Sequence, residues 1–141
     1  MATYNKFQAF VENLAEKVHD LGADSLKVML TNSAPVATNA LLGDLTEIAA
    51  GNGYTAGGTA PSISSSAQTT GTYKLVLADV TFTAAGGSIG PFRYIVLYND
   101  TPASPLNPLI AWWDYGSALT LAAGESLTVD FDATNGVLQL A

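Results

Sequence analysis

The chain has 141 residues, no cysteine, 48% hydrophobic residues and a net charge of −7 from five Lys and Arg against twelve Asp and Glu. This length and apolar content suit one hydrophobic core in one domain, residues 1–141, and exclude a disordered chain. No disulfide framework, thiolate metal site or thiol nucleophile is possible, and no apolar run approaches the ~20 residues needed to cross a bilayer.

The opening reads as an amphipathic helix over about residues 5–21. Phe7, Phe10, Val11, Leu14, Val18 and Leu21 recur at three- and four-residue spacing, while Glu12, Glu16, Lys17, His19 and Asp20 take the other face. Asn5 to Gln8 has capping-box spacing, and Gly22 is placed to end the helix. The polar residues before it do not fit a cleaved signal peptide. Alternation then marks a strand at Leu26 to Thr31, closed by Asn32-Ser-Ala-Pro35. Asp44 to Glu47 repeats the capping-box spacing and suits one short helical turn. From Gly51 to about Thr72 the chain is Gly, Ser, Thr and Ala, expected as a long surface loop with room for one edge strand.

Strand follows strand in the second half. Tyr73 to Ala84 carries bulky residues on both faces, with a shift of apolar phase that predicts a bulge near Ala78-Asp79. Phe92 to Tyr98 is apolar at nearly every position, the pattern of a central strand covered on both sides. A proline loop, Pro102 to Pro108, leads to strands at Leu109–Tyr115, Leu119–Leu121 and Leu127–Phe131, and the Asn135-Gly136 turn precedes a last strand at Val137–Leu140. Adjacent Trp112 and Trp113 must point to opposite faces of theirs. Seven or eight strands at this spacing, with no room for crossover helices, predict a mostly β protein: an antiparallel, jelly-roll-like β-sandwich with one N-terminal helix.

Catalytic constellations are sparse. His19 is the single histidine and, off the apolar stripe, is expected in solvent. Asp130 to Gly136 fails the calcium-loop pattern, because position six is Asn135 and position twelve is Ala141. Asp114 beside two tryptophans lacks a nominated carboxylate partner. Gly51-Asn-Gly53-Tyr-Thr-Ala56 has neither the strand before it nor the helix after it that a dinucleotide loop requires. Lys6, Lys17, Lys27, Lys74 and Arg93 are scattered and make no patch for phosphates or anionic lipid, so no nucleic-acid or membrane partner is expected. No cofactor, metal or enzymatic activity is expected either.

Six stretches, taken together, carry a likeness: Ser25–Thr31, Asp44–Gly58, Asp79–Phe82, Tyr94–Tyr98, Pro108–Trp112 and Gly136–Leu140. In this order and spacing the chain resembles virion structural proteins of tailed bacteriophages, in particular the small jelly-roll cement or decoration proteins of capsids. The resemblance covers most of the chain and implies a non-enzymatic protein on the capsid surface, present in host cytoplasm during assembly. It further implies a homotrimer that bridges subunits of the major capsid protein. The N-terminal helix, the Gly51 to Thr72 loop and the proline loop are the expected contact segments. Phe7, Phe10, Tyr54, Trp112, Trp113 and Pro105 are the candidate interface residues on them and on the Trp strand. Two other classes stay open: a tail or fibre module binding a host receptor or glycan through Trp112, Trp113 or Tyr54, and a hydrolase using Asp114, Asp130 or Asp132.

Overall fold

A computed structural model describes residues 2–141. In chain order the elements are β1 (Tyr4–Lys6), α1 (Gln8–Ala15), β2 (Leu26–Thr31), a 3-10 turn (Leu42–Asp44), β3 (Ile63–Thr69), β4 (Thr72–Leu77), β5 (Val80–Thr83), β6 (Ile89–Asn99), β7 (Leu109–Leu121), β8 (Ser126–Val129) and β9 (Leu138–Leu140). The protein is mostly β, and every named strand pair is antiparallel. One sheet runs β1-β7-β6-β2, a second β3-β4-β9, and β5 pairs with β8.

The arrangement is sandwich-like, because all three sheets feed one core. Val28, Leu30, Ile95, Leu97 and Ala111 come from the four-stranded sheet; Leu75, Leu77, Phe82, Val129 and Leu138 come from the others. Ile95 and Leu97 of β6 enter this core. Val96 and Tyr98 join Phe7, Met29 and Leu109 in a second cluster on the outer face of the same sheet. The central strand is therefore covered on both sides, as its continuous apolar run requires.

The helix is shorter than the periodicity suggests. Asn5 does not cap it; Tyr4, Asn5 and Lys6 pair with Trp113, Trp112 and Ala111 as an edge strand. The helix ends at Ala15 because Lys17 turns left-handed, with φ of 65°. The Val18 amide then donates to the Asn13 carbonyl at 2.8 Å, closing a Schellman turn without glycine. Val18 and Leu21 keep helical spacing by coincidence and lie in the turns beyond.

Two strand boundaries also differ. The expected bulge at Ala78-Asp79 is a break at which the chain leaves the second sheet for the β5-β8 pair. Ala78 N–H donates to Ser62 O, and Asp79 Oδ1 accepts from the Phe131 amide. β7 is one strand of 13 residues where two were expected. The Gly51 to Thr72 stretch contains β3, whose small polar residues carry no apolar alternation. The short helical turn sits at Leu42–Asp44, with Asp44 closing it: its carboxylate accepts from the Ala40 and Leu41 amides, which holds its pKa below the usual carboxylate range.

Candidate functional site

Three of the six interface candidates are buried. Phe7 is 0% exposed and stacks on Trp112, with ring centroids 4.5 Å apart. Phe10 packs in the main core against the His19 ring. Tyr54 packs on Phe82, and its hydroxyl accepts from the Leu30 amide and donates to Glu47 Oε1 at 2.6 Å. These side chains are apolar bodies that the fold consumed as core, so they offer little surface. Trp112 and Trp113 do take opposite faces: Trp112 lies on the outer cluster, Trp113 against Tyr4 and Phe131 of the main core. Both remain partly exposed, as does Pro105.

The carboxylates considered for chemistry are engaged separately. Asp114 receives two bonds from Arg93, at 2.8 and 2.9 Å, and one from the Gly116 amide; the guanidinium first, then the amide, lower its pKa. Asp132 folds back on its own turn, accepting from the Thr134 and Asn135 amides, which lowers its pKa too. Asp130 stands in solvent beyond the end of β8. Among the described residues no three His, Asp or Glu side chains are grouped to hold a metal ion.

His19, expected in solvent, is buried at 5% exposure. Its environment determines its tautomer. Asn99 Oδ1 accepts from the Thr101 amide, so Asn99 Nδ2 is the donor toward both Asp24 Oδ2, at 2.6 Å, and His19 Nδ1, at 3.0 Å. Nδ1 must accept, and the proton therefore sits on Nε2. That Nε2 has no hydrogen-bond partner. Desolvation lowers the pKa of the ring, against a smaller opposing pull from Asp24.

Two adjoining loops make the surface best suited to contact. Residues 32–43 and 101–113 contain no charged side chain, in a chain whose net charge is −7. They are tied by Leu42 N–H to Asn107 O at 3.0 Å and Leu109 N–H to Ala40 O at 2.9 Å. Each presents an apolar side chain to solvent: Val36 at 54% exposure and Leu106 at 61%. The proline loop was an expected contact segment, but Val36 and Leu106 were not singled out. The signal available was the absence of charge over both stretches, which becomes one surface only when β7 returns beside the 3-10 turn.

No family model, curated protein or solved structure matches the chain.

Proposed function

We propose that this chain is a non-enzymatic virion structural protein of a tailed bacteriophage. In this reading it sits on the outside of the capsid as a homotrimer and bridges subunits of the major capsid protein. The observation that carries the reading is the neutral loop pair with Val36 and Leu106 at its surface. A patch without charge meets another protein without stripping water from an ion, and exposed apolar side chains gain most when a partner covers them. Repetition over a shell multiplies modest contacts into high avidity. The acidic remainder of the surface keeps copies soluble before assembly.

The test is co-sedimentation of the purified chain with shells of the phage that encodes it, alongside the double variant Val36→Asp with Leu106→Asp. Both side chains are exposed, so the fold survives the change, checked by circular dichroism. Occupancy is expected to fall at least about tenfold, the loss of roughly 1.4 kcal/mol or more per bound copy. Unchanged occupancy would refute the loop pair as the contact, and no binding to shells by the parent chain would refute the capsid reading.

The tail or fibre reading draws on one different residue, Tyr115, whose ring is half exposed in place of the packed Trp112, Trp113 and Tyr54. Glycan binding lost in Tyr115→Ala would favour it.

A further inference from the structure

α1 and β9 enclose a groove in two continuous parts, of about 510 and 650 Å³, that share Leu14 and Leu140. Four features of it point the same way. Its walls are mainly apolar, with Val11 51% exposed and Leu140 45% exposed although both are aliphatic. It is bordered by two edge strands, β1 of the four-stranded sheet and β9 of the second sheet, each paired on one side only. Such edges offer unpaired backbone N–H and C=O groups to an extended chain.

The third feature is charge. Lys6 and Lys17 both line the groove, and neither makes an ion pair or side-chain hydrogen bond among the described residues. The remaining three cations are engaged: Lys27 by Asp100, Arg93 by Asp114 and Lys74 by the Thr134 carbonyl. The one acid in the lining, Asp20, accepts from the Gly22 amide and is outnumbered by the two lysines. In a chain of net charge −7, the groove lining is thus positive. The fourth feature is the His19 Nε2–H, a buried donor that lines the groove and finds no acceptor in the chain. A buried polar hydrogen left unpaired costs about 1–3 kcal/mol, which an incoming oxygen would recover.

We propose that this groove seats an extended segment of a partner protein carrying a carboxylate, with Lys17 and the His19 Nε2–H as its anion contacts. The backbone of the segment pairs with a free edge at β1 or β9, its apolar side chains lie on Leu14 and Leu140, and its acidic side chain turns toward the helix end. The Nε2 atom is buried, so the groove lining around it must shift as the acceptor arrives. The proposal is independent of the particle on which the chain works.

Titration of the full ¹⁵N-labelled chain at neutral pH with the blocked hexapeptide acetyl-Thr-Val-Glu-Val-Thr-Val-amide, and with its Gln counterpart, tests it. The Glu peptide is expected to shift amides of residues 10–22 and 135–140 and to move the His19 Nε2 resonance on binding. The Gln peptide is expected to bind about tenfold more weakly, because a charge-assisted bond is replaced by a neutral one. Lys17→Gln, at an exposed position, is expected to erase that difference while leaving the spectrum of the free protein intact. Equal binding of the two peptides, shifts elsewhere on the molecule, or the same shifts with acetate alone would overturn the proposal. So would self-association that Lys17→Gln abolishes, which would make a second copy the occupant.

Discussion

Two neighbouring stretches that look alike in composition behave in opposite ways. Residues 47–59 form no regular strand, yet they are fastened along the free edge of β2. Ile48 N–H donates to Leu30 O, and Val28 and Thr59 exchange bonds at 2.8 and 2.9 Å. Glu47 Oε1 accepts from both the Tyr54 hydroxyl and the Gly57 amide at 2.6 Å, and the Tyr98 hydroxyl donates to Gly57 O at 2.6 Å. Residues 64–70, by contrast, are regular β-strand and tight turn, and every side chain is exposed. The difference teaches that regular backbone and structural commitment are separate properties. The irregular segment covers an edge and buries a tyrosine, whereas β3 leans on β4 alone and leaves its other edge bare.

The comparison breaks most visibly at Gly58. Its φ is +81°, and a Cβ there would stand 1.9 Å from the Val28 carbonyl oxygen. Gly58→Ala must force the segment off β2, and we expect a loss of about 3 kcal/mol or more in chemical denaturation, with amide exchange accelerated from Ile48 to Thr59. A smaller loss, about 1–3 kcal/mol, is expected for Tyr54→Phe, which leaves the Leu30 amide without its acceptor and Glu47 without its hydroxyl donor.

Tyr54 and Tyr98 also shape the alkaline limb. Burial pushes the Tyr98 hydroxyl up to about 12 and the Tyr54 hydroxyl, with help from Glu47, well above its ordinary value. The unfolded chain ionises from about pH 10 while the folded one holds its protons. The stabilisation is therefore complete below pH 10 and drains away as pH rises through the folded-state values. Tyr54→Phe should flatten that decline, as read from denaturation midpoints between pH 9 and about 12. At the other end of the scale, Ala67→Thr on β3 should change stability by no more than about 0.5 kcal/mol, because the side chain is exposed. A larger effect in the same assay would mean that β3 is covered in solution.

Where the chain's apolar residues alternate or run continuously, its fold could be read directly. The strand at Leu26–Thr31, the two-sided burial of β6 and the opposed faces of Trp112 and Trp113 all follow from side-chain direction alone. What escaped depends on partners far along the chain. β1 is polar and short, and only its pairing with residues more than a hundred positions later makes it a strand. His19 is carried inward by a turn that Lys17 creates, and its burial rests on Asn99, on another element altogether. Tyr54, a candidate contact residue of the Gly-rich stretch, is drawn inward by Glu47, an acceptor seven residues away that gives no periodic signal. For the candidate contact surface, the proline loop was legible, but its union with residues 32–43 was not, since strand order is not written in periodicity.

The pairing of Tyr4–Lys6 with Ala111–Trp113 has a consequence for biosynthesis. While the ribosome is still translating, Tyr4–Lys6 has no neighbour to dock on until Ala111–Trp113, more than a hundred residues later, has emerged. The β1 edge of the four-stranded sheet therefore closes only once that later strand is made, and Phe7, which stacks on Trp112, waits uncovered until then. Long-range closure of this kind makes assembly slow relative to helical proteins of equal size, and it makes the stretch around Phe7 the one most in need of shielding.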